Sequence, residues 1–134
     1  MCNLVHEEYK PIEKSGYAWK LFSKNLHGNL VQLFSRELYK KEDSGWISWN
    51  DGYYSYSSYG DGFCAFASKE EAERALQDLQ RGITVGEYSD ATLREIQYEG
   101  GLALQKEPRM VCGKVYETII IRRFKIIEQG EENG

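Results

Sequence analysis

The sequence predicts an α+β domain: a mainly antiparallel β-sheet of about five to seven strands packed against one principal α-helix, residues 69–81. Three features lead there. Runs with a two-residue hydrophobic period, rich in aromatic and β-branched residues, lie on both sides of a single helical segment. That segment carries one apolar stripe, Ala72, Ala75, Leu76 and Leu79, behind a Ser68…Glu71 start signal. Glycine and asparagine turn signals separate the remaining runs.

Residues 1–14 are polar, contain Pro11 and read as a loosely held lead-in to a single domain at 15–128. From Gly16, Tyr17, Trp19 and Leu21 alternate with Ala18, Lys20 and Phe22, a strand pattern. Gly28 and Asn29 suit a turn, and Leu30–Phe34 returns, so residues 17–34 form a predicted hairpin. Residues 35–62 are irregular. Trp46 and Trp49 mark a short strand there, ahead of a tyrosine-rich loop between Asp51-Gly52 and Asp61-Gly62. Gly62–Ala67 is a short apolar strand leading into the helix, which Gly82 ends. The opposite helix face, Glu70, Glu73, Arg74, Asp78 and Arg81, reads as solvated surface. Thr92–Tyr98 alternates and is expected to end at Gly100-Gly101, with Leu102–Gln105 pairing back on it. Val115–Ile127 is a long β-branched run in which Ile119 and Ile121 share one parity and Phe124 and Ile126 the other. A β-bulge near Arg122-Arg123 would restore a single buried face. Residues 129–134 form an acidic tail.

With 134 residues the chain fits one domain, and 17 Lys+Arg against 21 Asp+Glu give a net charge of −4. That balance argues against general nucleic-acid binding, which needs a basic field. No run approaches the roughly 20 apolar residues of a membrane span, and the first residues lack a secretory pattern. Cys2, Cys64 and Cys112 are odd in number and never in a C-x-x-C pair, which fits reduced thiols and a cytoplasmic location. His6 and His27 add no metal-ligand spacing, so no metal and no cofactor is expected.

Gly16-Tyr17…Trp19-Lys20-Leu21-Phe22, Leu30–Phe34, Trp46, Gly62-Phe63-Cys64-Ala65-Phe66 with Ser68–Ala72, Ile96–Gly100 and Arg122–Ile126 follow one another across residues 16–127. In that order they resemble a family of small uncharacterised proteins of phages, prophages and archaea. The resemblance implies an accessory domain of the host cytoplasm and supplies no activity. Relatives often carry His where this chain has Cys64, so no role of that imidazole is carried over.

The strongest compositional departure is aromatic. Trp46, Trp49, Tyr53, Tyr54, Tyr56 and Tyr59 are interleaved with serines and aspartates, the chemistry of adaptable binding loops. Arg123 and Lys125 share a strand face and are candidate anion contacts. These residues point to a non-enzymatic recognition domain for a protein partner or a small nucleotide-like ligand. Two alternatives stand beside it. Gln105-Lys106-Glu107 matches the Gln-x-Glu element of arginine-directed ADP-ribosyltransferases, in which Gln105 and Glu107 would serve a small enzyme acting on a nucleotide or NAD-like substrate; no Arg or Ser-Thr-Ser partner motif accompanies it. A purely structural or oligomeric component would instead present a large apolar face.

Overall fold

In the computed structural model, which describes residues 10–33, 38–50, 62–80, 90–107 and 116–127, the elements are β1 (Ser15–Lys24), β2 (Leu30–Val31), β3 (Trp46–Ser48), β4 (Phe63–Ala65), α1 (Lys69–Gln80), β5 (Thr92–Glu107) and β6 (Tyr116–Ile126). Every strand pair is antiparallel, in the order β2-β1-β5-β6-β3 with β4 also on β6. The expected α+β architecture is what the chain adopts. Among the described residues no helix is long and apolar enough to cross a membrane.

The β1–β2 hairpin forms because Asn25 turns the chain with its own side chain. Its Oδ1 accepts the N–H groups of His27 (2.9 Å) and Asn29 (3.0 Å), and Gly28 takes a φ of 83° between them. Helix α1 starts as its sequence dictates: Ser68 Oγ accepts the Glu71 N–H at 3.2 Å. Ser68→Ala is expected to lower stability by about 1 kcal/mol, read from the urea midpoint at unchanged m-value. The Glu71 carboxylate reaches outward to the Arg74 guanidinium (2.8 Å) and to the Glu117 N–H (2.9 Å), fastening the first helical turn to β6.

Four expectations are corrected. First, β5 does not end at Gly100-Gly101 but runs on for 16 residues. Gly100 adopts a φ of 69° opposite Arg122, and the register slips between Gly101 and Ala103. The register slip therefore sits on β5, opposite Ile120 and Ile121. Ile119, Ile121, Phe124 and Ile126 nevertheless share one cluster, so the inward parity of β6 changes between Ile121 and Phe124.

Second, the sheet buries both faces. Against α1 pack Leu21, Cys64, Phe66, Tyr116 and Ile120 with Ala72, Ala75 and Leu79. The second cluster gathers Ala18, Phe22, Ile47, Phe63, Ala65, Ile96, Tyr98, Ile119, Ile121 and Phe124, with Ile12, Leu30, Tyr39 and Trp49 packed against it. Continuous apolar runs such as Ile119–Ile121 are the signature of strands covered on both sides. Pairing is also cyclic: Trp19 and Phe66 exchange N–H···O bonds of 2.8 and 2.7 Å, so β4 returns to β1.

Third, Asp78 is not on a solvated face. It is 5% exposed and accepts the Tyr116 hydroxyl at 2.5 Å. Burial, then this bond, pushes the Tyr116 phenol pKa upward.

Fourth, part of the lead-in is docked. Lys10 and Leu104 exchange backbone bonds, the Gly101 N–H donates to Lys14 at 3.0 Å, and Ile12 packs on the second cluster.

Candidate functional site

One end of the sheet gathers an unusual set of charges. The β1–β2 turn (Gly28, Asn29, Leu30), the segment Leu38–Lys41, Gly45, the start of β5 at Arg94 and the end of β6 at Lys125-Ile126 enclose a partly open cavity of about 320 Å³. Three cationic side chains line it, Lys41, Arg94 and Lys125, and no carboxylate does among the described lining residues. Two of them, Arg94 and Lys125, have a local reason to be there. Arg94 is held by an Nη2–H bond to the Ile127 carbonyl at 3.1 Å. Its Nε is shielded from solvent and has no hydrogen-bond partner among the described residues. The Lys125 stem passes over Gly45, where a Cβ would stand 3.4 Å from Lys125 Cε. Gly45 itself has a φ of 93°, which a side chain would strain.

None of these three cations forms an ion pair with a described carboxylate, whereas two other arginines do. Arg74 is bridged to Glu71. Arg123 donates to Glu99 (2.5 Å) and to Glu42 (2.9 Å), and its guanidinium lies over the Trp46 ring, 4.5 Å from the centroid. Bonding to Glu99 raises the Arg123 pKa, and the Ser48 hydroxyl (2.7 Å) together with Arg123 lowers that of Glu42.

These contacts sort the residues singled out by sequence. Arg123, a candidate anion contact, is engaged by two carboxylates and fastens the Glu42–Ser48 segment to β5 and β6. Lys125, the other candidate anion contact, stands in the cavity wall. Trp46 is half-buried beneath Arg123. Trp49 is half-buried and packs against the second cluster, its ring meeting Phe63 edge-on at 5.2 Å. Tyr53, Tyr54, Tyr56 and Tyr59 lie outside the described residues. Gln105 is 1% exposed inside β5, sealed from a diffusing substrate. Glu107 pairs with Tyr116 at the end of the strand, and its side chain lies outside the described residues.

Sequence reasoning missed Lys41, Arg94 and, most of all, Lys20. Lys20 is 4% exposed and its Nζ donates to the Cys64 carbonyl at 2.8 Å. The rings of Phe22, Phe63 and Phe124 stand 5.9, 5.5 and 5.6 Å from that nitrogen. Burial lowers its pKa from 10.5 to about 8, with the neighbouring Cys64 acting the other way. Tyr39 joins the two sites. It lines the cavity, and its ring packs on the same three phenylalanines at 5.9, 6.1 and 5.5 Å. The parity of Lys20 with Ala18 and Phe22, both fully buried, was a signal available in the sequence.

No group of His, Cys, Asp and Glu able to hold a metal occurs among the described residues. Comparison with protein-family models, curated proteins and solved structures found no match, so function is read from this geometry.

Proposed function

We propose that the protein is a non-enzymatic recognition domain that binds a small organic anion of nucleotide-like character in the cavity between the β1–β2 turn, Leu38–Lys41 and the β5–β6 end. One observation carries this reading: three cations without carboxylate partners converge on one concavity in a chain of net charge −4. Like charges brought together repel, and this arrangement is stabilised when an anion enters. The apolar part of the wall, Leu30, Leu38, Tyr39 and Ile126, suits an organic body better than a bare ion. In an accessory protein of a mobile element, such a domain would sense a metabolite of the host cell.

Calorimetric titration with adenosine 5′-monophosphate and with benzoate tests it. Saturable binding of at least one is expected, weakened at least tenfold by the double variant Lys41→Ala/Lys125→Ala at an unchanged melting temperature. Absence of binding to both probes overturns the reading.

A further inference from the structure

We propose that the anion recognised in this cavity is a phosphomonoester dianion on a compact organic body, and that Arg94 is the residue that selects it. The inference rests on the anion-recognition reading above and adds the class of ligand. A monocarboxylate would satisfy one of the three cations and leave two in mutual repulsion. A phosphomonoester carries about −1.5 to −2 at pH 7 and presents three terminal oxygens, enough for Lys41, Arg94 and Lys125 together. The lysines come from different segments, one from Leu38–Lys41 and one from the end of β6. They therefore approach a shared anion from separate directions, which suits a tetrahedral group better than a planar one.

Arg94 supplies the second, independent observation. Its guanidinium is already oriented, because Nη2 is tied to the Ile127 carbonyl at 3.1 Å. The Nε–H of this cavity-lining residue is withdrawn from water without an acceptor among the described residues. A buried donor left unsatisfied is unfavourable, and a phosphoryl oxygen that draws the guanidinium toward the cavity would satisfy it. The volume, about 320 Å³, lies at the low end of small-molecule sites. It fits a body of one ring or a mononucleotide, not a dinucleotide.

The decisive comparison keeps the ring constant and changes the anion. Phenyl phosphate, benzoate and inorganic phosphate are titrated into the full chain by calorimetry. Phenyl phosphate is expected to bind at least tenfold more tightly than either of the others. Arg94→Lys, which keeps the charge and removes the fork, should abolish most of that preference for phenyl phosphate while benzoate changes little. Should Arg94→Lys lower the melting temperature, Lys41→Gln/Lys125→Gln replaces it, with a larger expected loss for phenyl phosphate than for benzoate. Equal affinity for benzoate and phenyl phosphate overturns the phosphoryl assignment and leaves anion recognition standing. Inorganic phosphate binding as tightly as phenyl phosphate overturns the organic body. A folded Arg94→Lys chain that keeps full preference removes Arg94 from the selecting role. No binding of any probe overturns this inference and the reading beneath it together.

Discussion

Lys20→Met is expected to stabilise the protein at pH 7, by about 1–3 kcal/mol, which raises Tm by roughly 4 °C per kcal/mol in a domain of this size. Lys20 is a buried ammonium, 4% exposed, with one carbonyl acceptor at 2.8 Å and no ion pair among the described residues. Its two remaining N–H groups have no acceptor among the described residues, and three phenylalanine rings surround the nitrogen. Ring faces return part of the lost hydration, up to about 2 kcal/mol where a cation is desolvated. Against that, a pKa lowered from 10.5 to about 8 corresponds to roughly 3 kcal/mol in favour of the neutral amine. Methionine has nearly the same length and removes the charge without opening a void. Lower stability in the variant, with an unchanged fold, would mean that the ring cage recovers more than burial takes away.

The pH dependence separates the charge from the packing. The folded pKa of Lys20, about 8, lies below its unfolded value of 10.5. Between those values the unfolded chain binds more protons, so the Lys20 contribution to stability rises with pH across that window. Below about 8 the penalty is fully present. The advantage of Lys20→Met should therefore be greatest at pH 7 and shrink as pH passes from 8 toward 10. Tyr98 and Tyr116 act in the opposite sense, because burial raises both phenols and their contribution is lost as pH climbs above 10. They are present in both chains and largely cancel in the difference. A gap that stays constant from pH 7 to 10 would show that Lys20 is not the titrating group.

What the sequence disclosed follows from how local each signal is. Helix α1 was legible because Ser68 and the Ala72–Leu79 stripe lie within one short segment, and the hairpin because Asn25–Asn29 turns by bonds to its own neighbours. The second buried face was not, although Ala18, Lys20 and Phe22 share a parity. An alternating strand reads as half-exposed unless something is known to cover its other side, and the covering residues Ile12, Tyr39 and Trp49 are scattered along the chain. Gly100-Gly101 misled for a related reason. Glycine marks a turn and a strand irregularity equally well, and only the partner strand decides which. Of the site, Lys125 was legible as an exposed cation. The ion pairs of Arg123 were not legible because its partners, Glu42 and Glu99, stand 81 and 24 residues away. Lys41 and Arg94 carry no motif at all; their meaning comes from the end of the sheet to which the topology brings them.

That same non-local design gives the second large expectation, a loss of about 2–4 kcal/mol for Gly101→Ala. A Cβ at Gly101 would overlap the backbone carbonyl of Glu13 and press on Ile12 Cδ1 and Tyr98 Cε1, each 3.0 Å away. Backbone and a buried ring cannot yield as the tip of a flexible side chain does, so the Lys10–Lys14 segment must leave β5. With it go the paired Lys10–Leu104 bonds, the Gly101 bond to Lys14 and the packing of Ile12 over the second cluster. The damage should be ordered. Hydrogen exchange is expected to accelerate first at the Leu104 and Gly101 amides, which donate to the displaced segment, while Ile120, fully buried between β4 and β5, keeps its protection until global unfolding. Uniform acceleration across β5 and β6 would mean that the segment is part of one cooperative unit with the sheet. Unchanged exchange and stability would mean that it does not pack on Gly101 in solution. Only the ordered loss identifies Gly101 as the recess that lets a polar N-terminal stretch close the edge of a sheet otherwise left with unpaired backbone at Leu104.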